Sequence, residues 1–509
     1  MDSARRIVVN TLAQYVRLLF CVVLTLWSTR LVLQALGQRD YGIYSLVGGV
    51  VVMLAFITQA MVITTQRHLS FARGREGGAS CRGGVRRVFS NCLLLHLLIG
   101  VPLTLLLLGL ESAVMNHLLS IDAERIGVAC RVYRYMAFSL LVTFITAPYR
   151  ALFIARENIV FLSVVDVVDS VLKVAIAIGL FHIGADRLGW YAFMVMLVSF
   201  FNYAVLAVWG RLRFAECVLW PRRGDVDGHL LRDILGFALW TIYSMGCVLG
   251  RTQGIAVVLN RCFGTLLNTA YGIALQVFSS VQRVSQAVIN AVSPQLIGSE
   301  GGGDRERMLS LAAATSKYSV LLLSLVVVPV VFEMRGILAF WLGDVPEHAP
   351  MMCCFVLLAA LADQTTTGLN TANQATGRIR TFSLCVNTTK LMTVPLSWVA
   401  VRCGGSVEAV MWCYLGMEIV CAALRLPLLR RSAGLHVGRF LGQVLRPAAL
   451  PVAAMAVVSW AMIAYVDLPL RFLLTFAIAV CVGCAAIWVS GLEAREKEWV
   501  RKLLKRERC

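Results

Sequence analysis

Leu36-Gly37-Gln38-Arg39-Asp40-Tyr41-Gly42-Ile43-Tyr44 joins two long apolar stretches, and its core returns as Tyr271-Gly272-Ile273 behind Phe263-Gly264. Each copy opens an apolar stretch, and each stretch closes on a polar run with a glutamine: Thr64-Thr65-Gln66-Arg67 in the first, Ser293-Pro294-Gln295-Leu296 in the second. The copies lie about 230 positions apart, which is six apolar stretches, and an even number gives both the same orientation across a membrane. The motif therefore reads as a duplication of parallel lobes.

Working outward, apolar stretches run near 8–34, 41–65, 88–110, 127–149, 159–183, 188–210, 234–259, 267–292, 317–341, 351–375, 381–401, 406–429, 441–465 and 470–491. A helix needs about 20 apolar residues to span the hydrocarbon core, so about 14 transmembrane helices are expected. The expected fold is an all-α integral membrane protein, with an N-lobe over 1–210, a basic cytoplasmic linker over 211–233 and a C-lobe over 234–430. Two appended spans over 431–491 and a basic cytoplasmic tail over 492–509 complete it.

Composition agrees. Hydrophobic residues make up 59% of the 509, mean hydropathy is +0.77, and charged residues are only 15%, against about 25% in a soluble domain. That leaves no room for a catalytic soluble domain, and no G-x-x-x-x-G-K-[ST] run suggests direct ATP coupling. The net charge of +19 lies in short loops rather than one basic domain, so nucleic acid is not an expected partner. Loop 66–87 carries Arg67, Arg73, Arg75, Arg82, Arg86 and Arg87; loop 211–233 carries Arg211, Arg213, Arg222, Arg223 and Arg232. About thirty Lys and Arg fall on this side, Arg150 and Arg156 among them, against about six opposite, which puts both termini in the cytoplasm. The outer loops are short and acidic, with Glu111, Asp122, Glu124, Asp344 and Glu347.

The 16 Cys have no zinc or disulfide spacing, and most, such as Cys353, Cys354, Cys413, Cys421, Cys481 and Cys484, sit in apolar runs as small core residues. Met1 to Arg6 precede apolar residues with no small-residue cleavage site, which reads as a retained first span. In the tail, Leu492, Trp499, Val500, Leu503 and Leu504 among charged residues suit a short interfacial helix.

Asn10-Thr11 leading into the first span, the Leu36-Gly37 to Tyr44 turn, and Gln66-Arg67 closing the second resemble the polysaccharide flippases of the multidrug/oligosaccharidyl-lipid/polysaccharide superfamily, closest to the Wzx-type O-antigen and capsule-unit flippases. The resemblance implies a MATE-like fold. It also implies a bacterial inner-membrane protein that turns a polyprenyl-diphosphate-linked oligosaccharide to the outer leaflet by alternating access, with no cofactor. Its partners would be membrane lipids and a polysaccharide polymerase or ligase.

Charges inside apolar stretches carry the chemistry, because a charge in hydrocarbon costs on the order of 3 kcal/mol or more and faces a cavity or a partner. A diphosphate head needs fixed cations, and the arginine fork fits phosphate oxygens and stays charged when desolvated. Arg17, Arg134, Arg251, Arg283 and Lys390 are the candidates for a cationic cavity, and Arg30 and Arg67, nearer the membrane faces, for gates or anchors. Asp166, Asp169 and Lys173 share one helical face. Together with Asp363 and Glu418 they are candidates for ion coupling. Glu333 and Arg335 point to different faces of a helix. The polar run from Asp363 to Gln374 suits either a sugar-binding surface or close helix contact.

Two other functions compete. A cation-coupled multidrug exporter would need an acidic cavity, against the excess of arginine over carboxylate in spans one, seven and eight. A membrane glycan polymerase or ligase would need a large outer loop, and every outer loop is short.

Overall fold

The structure, a computed structural model, describes residues 3–52, 54–76, 84–115, 123–184, 186–221, 223–342, 345–468, 470–492 and 496–498. Asp122, Asp344, Arg82, Arg222 and the expected tail helix from Trp499 onward lie outside the described residues. Among those described there is no strand. In chain order the main helices are α1 Ser3–Val52, α2 Ala55–Glu76, α3 Gly84–Gly109, α4 Ile126–Ala155, α5 Ile159–Gly179, α6 Arg187–Arg213 and α7 Gly228–Phe263. There follow α8 Thr265–Gly301, α9 Arg305–Phe332, α10 Met334–Leu342, α11 Ala349–Gln364, α12 Thr367–Thr376, α13 Ile379–Arg402, α14 Val407–Ala433, α15 Val437–Tyr465 and α16 Arg471–Gly491.

Ten of the described helices are long and apolar enough to cross a membrane, or 11 if α11 and α12, bent by 47° at their junction, form one broken span. The expected spans without such a helix are the second, fifth and eighth, which fall on α2, α5 and α8. Their sequences explain it. The α5 stretch carries Asp166, Asp169 and Lys173, α2 runs into Arg67, Arg73 and Arg75, and α8 is studded with Gln276, Ser279, Ser280, Gln282, Arg283, Gln286 and Asn290.

The duplicated turn has a backbone cause. Gly37 has φ 77° and ψ 170°, a conformation open essentially to glycine, and it breaks α1 before Tyr41. Its counterpart Gly264, at φ 91°, separates α7 from α8. The first turn is pinned to the start of α4 by ion pairs of Asp40 with Arg125 at 3.2 Å and of Arg39 with Glu124 at 3.6 Å.

The chain divides into two compact units, Met1–Met245 with Ile297–Gly303, and Gly246–Leu296 with Asp304–Cys509. In the first, buried aromatics Phe89, Tyr133, Phe144, Tyr149 and Phe153 build the core. The 211–233 segment is not a loose connector. Arg156 pairs with Glu216, the Tyr149 hydroxyl donates to the Val218 carbonyl at 3.1 Å, and Arg86 holds Asp225 at 3.2 Å. Asn91 donates to the Asp225 carbonyl at 2.9 Å and accepts from the Asp227 N–H at 3.1 Å. The last turns of α8 meet α2 in this unit with almost no gap, since a Cβ on Gly74 would stand 2.0 Å from the Gly298 carbonyl oxygen.

In the second unit the appended helices α15 and α16 are clasped to α9 and its C-terminal end. Arg471 grips the buried Glu333 through two hydrogen bonds of 2.9 and 3.2 Å, and the Thr475 hydroxyl donates to the same carboxylate at 2.9 Å. Beyond α16, Glu496 accepts from the buried Lys317 at 2.8 Å. Gly368 packs so tightly on α9 that a Cβ would lie 1.9 Å from the Ala312 carbonyl oxygen, and its N–H donates to the Ser316 hydroxyl at 3.0 Å. Around it Gln364, Thr366, Thr367, Thr371 and Asn373 are buried, so this part of the polar run serves helix contact. Cys353 and Cys421 are buried, but Cys481 and Cys484 are exposed on α16, which corrects their assignment to the core.

Candidate functional site

Each unit builds one cluster of charges from the same positions in its span order: the first, fourth, fifth and sixth. In the first unit Asp166, seven residues into α5 and so about 10 Å along its axis, is shared by two arginines. Arg17 of α1 reaches it at 2.5 Å, and Arg150 of α4 forks onto both oxygens at 2.9 and 3.1 Å. One turn on, Asp169 accepts from Lys173 at 2.8 Å and from the Asn202 amide of α6 at 2.7 Å. The bond to Asn202 fixes the carboxylate between two helices, so the Asp169–Lys173 pair is more than an intrahelical contact.

In the second unit Glu418 of α14 accepts from Arg251 of α7 and forms an ion pair at 2.5 Å with Lys390 of α13. Lys390 also reaches Asp363 of α11 at 3.0 Å, and Arg425 reaches it at 2.6 Å. Arg425 further donates to the Asp363 carbonyl at 3.2 Å and the Thr366 hydroxyl at 3.1 Å, tying up the break between α11 and α12. The Arg251 guanidinium lies over the Tyr414 ring, 4.5 Å from its centroid. Gly250 and Gly254 bring α7 close to α13, where Cβ atoms would meet Leu391 at 3.0 Å and Val394 at 2.6 Å.

The two clusters match in count: three cations and two carboxylates each, a surplus of one positive charge. They differ in access. Arg17, Arg150 and Lys173 keep 28%, 34% and 42% of their side-chain surface exposed, whereas Arg251, Lys390 and Arg425 keep 6%, 10% and 5%. A partly uncovered cation can exchange its partner; a sealed one is held by the geometry around it.

The other expected site residues stand apart from both clusters. Arg134 is exposed and donates twice to Glu111, 2.8 Å each. Arg283 on α8 and Arg30 on α1 are exposed and make no ion pair among the described residues. Arg67 lies over the rings of Phe71 and Phe237, 4.7 and 5.3 Å from their centroids. Sequence reasoning missed Arg150 and Arg425. It ended the fourth span at residue 149 and counted Arg150 with the cytoplasmic loop cations, whereas α4 continues to Ala155 and turns Arg150 onto Asp166. The signal for Arg425 was present, since it lies two helical turns beyond Glu418 on one face.

No family model and no curated protein matches the chain. Solved structures do. A mutant MATE aligns at 15% identity over 86% of this chain and 97% of its own, with a TM-score of 0.71. A MOP superfamily transporter from Pyrococcus furiosus, described as having a binding pocket of reverse polarity, aligns at 16% identity over 87% and 97%, TM-score 0.69. An outward-facing multidrug resistance MATE family transporter aligns at 15% identity over 86% and 97%, TM-score 0.69. At such identities the likeness is one of architecture, and the chain has the fold of the MATE transporters of the MOP superfamily.

Proposed function

We propose that this protein is a plasma-membrane transporter that turns a polyprenyl-diphosphate-linked oligosaccharide from the cytoplasmic to the outer leaflet, with both termini in the cytoplasm. The observation that carries the reading is the first unit's cluster: an arginine pair on one shared carboxylate, cationic in excess and only partly covered by neighbouring side chains. Arg17 and Arg150 present guanidinium forks whose donors suit phosphate oxygens. A diphosphate entering beside them exchanges places with Asp166, which would retake the arginines when the head group leaves. The resting pairing keeps the cations from standing bare, and the exchange keeps binding weak enough for release. A polysaccharide polymerase or ligase on the outer side would consume the product.

Carrying organic cations would require accessible carboxylates. Here Asp166, Asp363 and Glu418 each meet two cations, which speaks against a multidrug exporter. The test is leaflet-resolved movement of a labelled polyprenyl-diphosphate oligosaccharide in proteoliposomes, for wild type, Arg17→Ala and Arg150→Ala, with a fluorescent organic cation as control. Glycolipid movement that both variants lose while remaining folded is expected. Movement of the organic cation without movement of the glycolipid would overturn the reading in favour of drug export.

A further inference from the structure

We propose that the sealed cluster of the second unit binds a monovalent inorganic anion of halide size beside Arg251 and Tyr271. The first argument is charge. Arg251, Lys390 and Arg425 face Asp363 and Glu418, so one positive charge is left over among side chains that, Asp363 apart, are at most 10% exposed. A buried net charge is costly, and the several-kilocalorie penalty falls only if a counter-charge or water reaches it. The first unit carries the same surplus, but its cations keep 28%, 34% and 42% of their side-chain surface uncovered. The second unit has no such exposure.

The second argument is independent of charge. The Nε–H of Arg251 and the Tyr271 hydroxyl are both fully buried and have no hydrogen-bond partner among the described residues. Tyr271 is 1% exposed and belongs to the same buried cluster as Tyr414, over whose ring the Arg251 guanidinium lies. An unmet buried donor forfeits the hydrogen bond that water would give it in the unfolded chain. A single acceptor-only anion answers both donors and the surplus charge together. Loss of the Lys390 proton would cancel the surplus but leave both donors unmet, and the Lys390 ammonium is held by two carboxylates at 2.5 and 3.0 Å. The Nε–H of Arg425 is also unpartnered, on a guanidinium whose other donors are occupied with Asp363 and Thr366. A tetrahedral oxyanion needs more donors than this corner offers.

The experiment is thermal unfolding of the purified full chain in detergent, in sodium chloride, bromide or gluconate at equal ionic strength. Wild type should unfold roughly 2–4 °C higher in either halide than in gluconate, saturably. Tyr271→Phe removes one donor and should diminish that halide shift. Lys390→Met removes the surplus charge and should abolish it; should that variant fail to fold, Tyr271→Phe decides alone. A bromide anomalous peak beside Arg251 and Tyr271 would locate the ion. Equal unfolding in halide and gluconate, or a halide shift undiminished in Tyr271→Phe, overturns the proposal. Neither result depends on the transported substrate.

Discussion

Replacing Glu418 by Gln is the sharpest test of the charge geometry. The side chain is 3% exposed and holds Arg251 and Lys390 at once, so its neutralisation leaves three cations facing Asp363 and raises the surplus from one charge to two. Breaking a buried pair by removing one partner costs about 3–5 kcal/mol, because the partner stays buried. For a unit of this size 1 kcal/mol moves the midpoint by roughly 2–4 °C, so Glu418→Gln should unfold roughly 6–20 °C below wild type. Asp169→Asn supplies the contrast. Asn keeps an acceptor oxygen for Asn202, so what is lost is the pair with Lys173, 42% exposed on the same helix, which contributes about 0.3–0.5 kcal/mol. Adding Lys390→Met to Glu418→Gln removes one stranded cation and should restore part of the loss, with a coupling of about 1–3 kcal/mol. Thermal unfolding of wild type, Glu418→Gln, Lys390→Met, the double variant and Asp169→Asn in one detergent reads all of this. A Glu418→Gln midpoint no lower than that of Asp169→Asn would refute the reasoning, because it would mean that the cluster is not sealed.

Gly74→Ala should destabilise by about 1–3 kcal/mol through overpacking, because its Cβ would meet the Gly298 carbonyl at 2.0 Å; Gly42→Ala, with nothing within 4 Å, is the control and should be neutral to stabilising. Equal midpoints for the two would contradict the close approach. Arg471→Met strips the buried Glu333 of its bidentate partner and should cost about 1–3 kcal/mol, with faster proteolysis between α15 and α16; unchanged proteolysis would argue against the clasp. The hydrogen bonds from Arg134 hold the Glu111 carboxyl below the ordinary carboxylate range. Their contribution is therefore present at neutral pH and lost as pH falls through that lowered value. Glu111→Gln should flatten the acid limb of stability against pH, and an unaltered limb would count against the pair.

The membrane class, the all-helical fold and the repeated glycine turn are all legible in the chain's own pattern. These rest on properties local to the chain: apolar length, and the Leu36-Gly37 and Phe263-Gly264 turns, whose glycines do adopt positive φ. The sequence also picked out most of the charges at depth, because any ionised residue inside an apolar run stands out. Helices α2, α5 and α8 lie on three of the expected spans, and their charged and polar residues set them apart from the ten long apolar helices. Which charges meet is set by helix packing. Arg17 and Asp166 are 149 positions apart, and Arg251 and Glu418 are 167, and no periodicity along one helix encodes a partner on another. Helix packing turned Arg150, counted from sequence as a loop cation, onto Asp166, left Arg283 outside both clusters, and sealed one cluster while leaving its counterpart open. Exposure is set by neighbouring helices rather than by the residue, and so is the difference between a cation that can take a new partner and one that cannot.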